Sequence, residues 1–286
     1  MKQIFDLHIH TNNSDGELSI NELIEELKKY NIKYFSITDH DTIDSLHEIK
    51  NIDIGDLKFI KGIEISSILD KRYKMHILGY NIDENNDEIN KITKTLKKAR
   101  VDRFYELSDR LYEKFNILLK KEDLDEIIEN VNIPGKPHLA KLIVEKGYVK
   151  TVPEAFEKYL ENIKTTISNR IDAKIVINAI KKAGGVAVWA HPKKVEKEYN
   201  IDFEKILPRL LDIGLDGIEI YNSLHTLDDC NRYLKVAKKF NLITSGGSDF
   251  HGKKIKPNVK LGEVFNSGEN YTINTRDVSI INEVRK

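Results

Sequence analysis

Histidine and carboxylate recur in this chain at the ends of short apolar runs, where strands would deliver them to one place. His8 and His10 stand two apart on an expected strand, so both imidazoles project from one face. Asp15 follows in the loop 11–17, and Thr38-Asp39-His40-Asp41 closes a second apolar run. Gly62-Ile63-Glu64-Ile65 ends a third run and His76 lies within a fourth. His191-Pro192 follows the run 185–190, and Gly247-Ser248-Asp249-Phe250-His251 follows the last. Singly, each has a plain structural reading: a strand-end histidine hydrogen-bonds locally, and a loop aspartate makes a turn or caps a helix. Jointly, six expected strands or their exits offer imidazole or carboxylate, and six of the nine histidines take part. Those ligand types suit Zn2+, Mn2+ and Fe2+, so the pattern predicts a metal centre.

The elements that must position these residues follow from the hydrophobic period. Residues 4–10, 34–38, 57–65 and 73–80 read as strands, and 42–50 as a short helix. Residues 21–30 read as a helix with Leu23, Ile24 and Leu27 on one face, opened by a Ser19/Glu22 capping box. This β-α-β alternation implies parallel strands and an α/β fold. From 87 to 164 the period turns helical, through Ile89, Ile92 and Leu96, then Phe104, Leu107 and Leu111, then Leu124, Ile127 and Ile128. Only the turn Pro134-Gly135-Lys136-Pro137 interrupts it, so the segment reads as a helical insertion. The alternation resumes with helices over 173–183, 203–211 and 227–240 and strands over 185–190, 217–221 and 242–246. The tail from 253 is weakly patterned apart from an apolar run at 261–265. About seven strands favour a closed or distorted barrel over an open sheet, built from 1–86 and 165–286 around the insertion 87–164. A barrel presents its chemistry at the C-terminal strand ends, where the histidines fall. Gly184-Gly185 and Gly246-Gly247 read as positions of turn geometry and close backbone approach.

Composition removes several classes of function. In 286 residues the 46 Lys+Arg balance 46 Asp+Glu, which argues against an overall basic nucleic-acid binder. The single cysteine, Cys230, excludes an internal disulfide framework and a cysteine-based zinc site. No apolar run approaches the roughly 18 residues of a membrane span, and no signal peptide is evident, so the expected compartment is the cytoplasm. No obligate protein partner is evident.

The motifs Asp6-Leu7-His8-Ile9-His10-Thr11, Thr38-Asp39-His40-Asp41, Gly62-Ile63-Glu64, Ala190-His191-Pro192 and Ser248-Asp249-Phe250-His251 occur in an order that resembles the PHP (polymerase and histidinol phosphatase) family of metal-dependent phosphoesterases. The resemblance implies a distorted (β/α)7, TIM-like barrel carrying two or three divalent ions, Mn2+, Fe2+ or Zn2+. It would place a first ion on His8, His10, Glu64 and Asp249, and a second on Asp15, His40 and His251. Glu64 would bridge to a third ion on His76 and His191. Asp15, often His in such sites, is a harder ligand and tilts preference toward Mn2+ or Fe2+. The implied reaction is hydrolysis of a phosphate ester by a metal-activated water. Asp249 would orient or deprotonate that water, and His191 or His138 would protonate the leaving oxygen. Asp6 and Asp39, beside ligands, are expected to fix imidazole tautomers.

The insertion narrows the resemblance to the subgroup of RNase AM and nucleoside 3′,5′-bisphosphate phosphatases, through Ile133-Pro134-Gly135-Lys136-Pro137-His138-Leu139-Ala140 and Ala155-Phe156-Glu157-Lys158-Tyr159-Leu160. Lys136 stands where that subgroup more usually has Arg, and Lys lacks the bidentate fork. Lys91, Lys94, Lys97, Lys98, Arg100 and Arg103 face only Asp102 in their stretch, a local charge of +5. The lysines are as readily a solvated helix face, whereas Arg100, Arg103, Lys136 and His138 are candidates to clamp a second phosphate or an RNA 5′-phosphate. For Phe156 and Tyr159, core packing outweighs base stacking. His47 reads as a surface residue; for His225, core packing outweighs a place in the pocket. The expected substrates are small phosphorylated nucleotides or short 5′-phosphorylated RNA. The rivals are a histidinol-phosphate phosphatase and a catalytically inactive metal-binding module.

Overall fold

The computed structural model describes residues 4–263 and 278–283. Its strands are β1 (Ile4–Ile9), β2 (Ile32–Ile37), β3 (Lys58–Phe59), β4 (Gly62–Leu69), β5 (Tyr73–Tyr80), β6 (Ile171–Asp172), β7 (Val186–Trp189), β8 (Gly217–Tyr221) and β9 (Ile243–Gly246). One ladder runs β1-β2-β3 and the other β6-β4-β5-β7-β8-β9. Main-chain bonds join the two ladders at both edges. His10 N donates to Phe250 O at 2.9 Å and Asp249 N to His8 O at 2.9 Å; across the other seam Asp41 N donates to Glu64 O at 2.9 Å. The ring β1-β2-β4-β5-β7-β8-β9 is thereby closed, a seven-stranded barrel among the described residues, with β3 and β6 as two-residue flanking strands. Both seams close on residues adjoining the histidine motifs, so barrel closure and site assembly are one event.

One strand departs from the expected parallel order. β5 runs antiparallel to both β4 and β7. Only residues 70–72 link β4 to β5, and a parallel partner needs a crossover of about a dozen residues or more. Asp70 and Lys71 make the tight reversal, both at positive φ. In this hairpin Ser66 pairs with His76 and Glu64 with Leu78, so His76 lies diagonal to Glu64 on the same face. The expected single strand 57–65 is also two, β3 and β4, split before Gly62.

Outside the barrel, the helix Ile20–Lys29 opens with the Ser19/Glu22 capping box and buries Ile20, Leu23, Ile24 and Leu27. Helices Ala173–Lys182, Phe203–Asp212 and Leu227–Phe240 bury their apolar faces on the sheet in the same manner. The helix Asp87–Phe115 has two lives. At 29 residues it is about 43 Å long. Its first half packs Ile89, Ile92 and Leu96 into the barrel core. Its second half puts Phe104, Leu107 and Leu111 into a separate apolar cluster drawn entirely from residues 104–163. Lys91, Lys94, Lys97 and Lys98 are exposed along the barrel wall, while Arg100 is buried and Arg103 half-buried. The basic stretch thus divides into a solvated face and two arginines at the rim. Leu261 is buried, and residues 264–265 of the apolar tail run lie outside the described residues. No helix among the described residues is long and apolar enough to cross a membrane.

Candidate metal centre

Glu64, fully buried on β4, is the hub. Its Oε2 lies 3.3 Å from His8 Nε2, 3.2 Å from His10 Nε2 and 3.0 Å from His40 Nδ1. Its Oε1 lies 2.8 Å from His76 Nδ1 and 2.9 Å from His191 Nε2. One carboxylate therefore faces five imidazoles, with a different set on each oxygen. Asp249 Oδ1 adds 3.3 Å to His10 Nε2 and 3.6 Å to His8 Nε2. Asp15 Oδ1 stands 3.3 Å from His251 Nε2, and its Oδ2 4.0 Å from His40 Nε2. Among the described residues, three groups have donor atoms within 4.8 Å of one another: His8, His10, Glu64 and Asp249; His10, Asp15, His40 and His251; and His40, Glu64 and His76. The first is the expected set. The second gains His10, and the third pairs His40 rather than His191 with Glu64 and His76.

Three residues around the cluster have left-handed backbones: Asp41 at φ 57°, His191 at φ 29° and Asp249 at φ 58°. Each follows a strand, and such conformations cost about 1–3 kcal/mol unless their surroundings enforce them. At Gly247 a Cβ would come 2.2 Å from His8 N, so only glycine lets the exit of β9 approach β1 this closely.

The donor set fits a cation. Buried polar atoms normally find partners. Yet His8 Nε2, both ring nitrogens of His10, His40 Nδ1, Glu64 Oε2 and His191 Nδ1 are buried without an aligned hydrogen bond among the described residues, although four of them crowd together at 3.0–3.3 Å. The electrostatics agree. Burial pulls His8 and His10 down, but Glu219 and Glu64 lift His8 well above the usual imidazole value, and Asp249 and Glu64 lift His10 to about 9. Burial also works against Glu64, which His76 and His40 nevertheless hold well below the carboxylate range. Protons on His8 and His10 thus supply positive charge that a divalent ion would take over, releasing them on binding.

The orienting partners differ from those expected. Asp6 accepts from Ser248 N at 2.9 Å, Ser248 Oγ at 2.6 Å and Gly262 N at 2.9 Å. Asp39 accepts from Thr11 N at 2.7 Å, Thr11 Oγ1 at 2.6 Å and Ser14 Oγ at 2.6 Å. Neither touches an imidazole: main-chain N–H groups and hydroxyls occupy their oxygens, and they pin the loops that carry Asp249 and Asp15. His8 is instead oriented by Glu219 on β8, 2.9 Å from its Nδ1, and His251 Nδ1 meets the Asp249 carbonyl at 2.9 Å. The sequence reading missed Glu219, although Gly-Ile-Glu-Ile recurs at 217–220 as at 62–65 and sets a carboxylate in an apolar strand. It also missed Lys256, which holds Asp249 Oδ2 at 2.7 Å.

Two cavities open on the cluster. One, about 330 Å³, is lined by the cluster together with Pro137, Phe156, Ile255, Lys194 and Lys256. Phe156 and Tyr159 both pack on the insertion's apolar cluster, Tyr159 against Phe115, and Phe156 also lines this cavity. The other, about 450 Å³, shares Asp15, His40 and His76 and is lined by Lys74, Arg100, Arg103, Lys136, Arg170 and Lys194. Arg100 is tied to buried Asp41, Arg103 donates to Thr165 Oγ1 at 2.9 Å, and Lys136 donates to the Leu160 carbonyl. Desolvation and the charge of Arg103 lower Lys136 to about 8. Lys194 has no side-chain partner among the described residues; it lines both cavities, and desolvation and Lys256 lower its pKa. Lys74, Arg170 and Lys194 carried no motif signal and became visible only in three dimensions. His138 lines neither of these cavities: its Nδ1 accepts from Gly135 N at 3.1 Å, and burial lowers it to about 4. His225 is buried against Tyr233, His47 is exposed, and Cys230 is buried with its thiol on the Ile220 carbonyl.

The chain is similar to several known proteins. The family model for the PHP domain matches residues 6–171. A 5′-3′ exoribonuclease of Haemophilus influenzae is 31% identical over 258 residues, 88% of this chain and 91% of its own. A phosphoribosyl 1,2-cyclic phosphate 1,2-diphosphodiesterase of Eggerthella lenta is 28% identical, over 87% of this chain and 95% of its own. A 3′,5′-nucleoside bisphosphate phosphatase of Chromobacterium violaceum is also 28% identical, over 86% of each chain. Among solved structures, one from Bifidobacterium adolescentis described as a metal-dependent phosphoesterase superposes with a TM-score of 0.78 at 28% identity, over 97% of this chain and 96% of its own.

Proposed function

The chain belongs to the PHP family and is a metal-dependent phosphoesterase, and from that premise we propose that it hydrolyses phosphate esters of nucleotides, nucleoside 3′,5′-bisphosphates or short 5′-phosphorylated RNA, in the cytoplasm. One observation carries this reading: a cavity lined by six cationic side chains adjoins the cluster of imidazoles and carboxylates. A substrate with one phosphate at the cluster and a second anionic group on Arg103, Lys136 and Lys194 fits both. Residues 87–164 act as the substrate-capping insertion, contributing Arg100, Arg103, Lys136 and Phe156. The apolar wall of Phe156, Pro137 and Ile255 suits the face of a base.

His8, His10, Glu64 and Asp249 would hold a first ion, Asp15, His40 and His251 a second, and His76 and His191 with Glu64 a third. Bound there, divalent ions supply Lewis acidity toward phosphoryl oxygens and make water a nucleophile near neutral pH. Asp249 keeps Oδ1 toward the cluster because Lys256 occupies Oδ2, which suits it to orient the attacking water. His191 has an uncommitted Nδ1 for the leaving oxygen, yet burial lowers its affinity for a proton, as it does for His138. The Lys194 ammonium, facing both cavities, is the better proton source.

The test is phosphate release from a 3′,5′-bisphosphate, a 5′-phosphorylated RNA, a mononucleotide and histidinol phosphate. Arg103→Met should lower kcat/KM about 10- to 100-fold on the bisphosphate, the loss of a charge-assisted hydrogen bond, and spare the mononucleotide. Equal losses on both, or a preference for histidinol phosphate, would overturn the assignment. Lys136 gives a pH signature. With its pKa near 8, its ammonium is present below that pH and lost above it. KM for the bisphosphate should therefore climb above about pH 8, and Lys136→Arg should flatten the climb, because Arg stays charged.

A further inference from the structure

We propose that Glu219 is a positioning residue that sets how tightly the centre holds its ions and couples the two ends of it. Its carboxylate is fully buried on β8. Oε1 lies 2.9 Å from His8 Nδ1, while Oε2 accepts from the His191 main-chain N–H at 2.6 Å and from Asn222 Nδ2 at 3.1 Å. Those partners serve opposite oxygens of Glu64: His8 Nε2 faces Oε2, and His191 Nε2 faces Oε1. Glu64 and Glu219 thus close a ring through two imidazoles that stack with centroids 5.7 Å apart.

A carboxylate only accepts. Neutral His8 must then carry its proton on Nδ1, which leaves the Nε2 lone pair for a cation. The second oxygen holds His191 at φ 29°, a conformation its own backbone does not favour. One side chain therefore fixes a ring orientation at one end and a main-chain conformation at the other. The inference rests on the metal centre of the proposed function and is independent of the substrate.

Glu219→Gln tests it, because an amide cannot serve both partners. Turned one way, its NH2 faces His8 Nδ1 and drives the proton to Nε2. Turned the other way, the NH2 meets the N–H of His191 and the amide of Asn222. The Mn2+ concentration for half-maximal activation should rise about 10- to 100-fold, with less Mn2+ retained after gel filtration and most turnover recovered at saturating Mn2+. A purely structural role would lower thermal stability and leave the Mn2+ requirement unmoved. Mn2+ content is read without substrate, so a wrong substrate assignment does not disturb this result. Wild-type Mn2+ content and activation in Glu219→Gln would overturn the proposal. Should the variant fold poorly, 15N-histidine spectra of the Zn2+-loaded wild-type protein decide: His8 protonated at Nδ1 supports it, and His8 protonated at Nε2 refutes it.

Discussion

Glu64→Gln should lower kcat/KM by about a thousandfold or more and strip the protein of its metal. The scale is the several kcal/mol that Lewis-acid stabilisation contributes to phosphoryl chemistry, at 1.36 kcal/mol per factor of ten. The change is isosteric, so the barrel should still assemble, but it removes the charge that five imidazoles share. Those imidazoles approach its two oxygens at 2.8–3.3 Å, and an amide turns an NH2 toward one of the two sets. Added Mn2+ should not rescue it, in contrast to Glu219→Gln, because here a ligand atom is lost rather than its orientation. Metal analysis beside steady-state rates makes the check. A Glu64→Gln protein with wild-type metal content and rate would remove the centre from the mechanism.

Arg100→Met should cost about 3–5 kcal/mol of stability, the scale for breaking a buried ion pair by removing one partner. Arg100 Nε donates to Asp41 Oδ2 at 2.6 Å, and Asp41 is fully buried. Ser66 also bonds Asp41, through N at 2.6 Å and Oγ at 2.8 Å, but neither neutralises its charge. Urea unfolding of Arg100→Met, Asp41→Asn and the double variant gives the coupling. The double variant should recover part of the loss, since no unpaired Asp41 carboxylate remains, although Arg170, which also faces the Asp41 charge, keeps its own. Affinity for the second phosphate should not recover with it. If stability and affinity return together, Arg100 acts only as the counter-ion of Asp41.

The sequence exposed different features to different depths. The capping box at Ser19/Glu22 and the helix Leu227–Phe240 were legible because capping and hydrophobic period act within a few residues. The antiparallel β5 was less so: its apolar run looks the same in either direction, and only the short 70–72 link, with Asp70 and Lys71 at positive φ, settles it. The basic helix divided because half of Asp87–Phe115 packs on the barrel, a fact of tertiary burial that leaves no trace in the order of Lys and Arg.

The sequence alone determined which chemistry was available. Histidines two apart on a strand share a face, and strand-end imidazoles and carboxylates in this order carry the family's mark. Tertiary structure decided who serves whom. Asp6 and Asp39 adjoin ligands in the chain yet hold loops, while Glu219, 211 positions from His8, orients it. Ligand types are covalent and local. Partnership depends on which strands the barrel seams bring within hydrogen-bond reach, and closing β1 onto β9 and β2 onto β4 is a long-range event that no local pattern encodes.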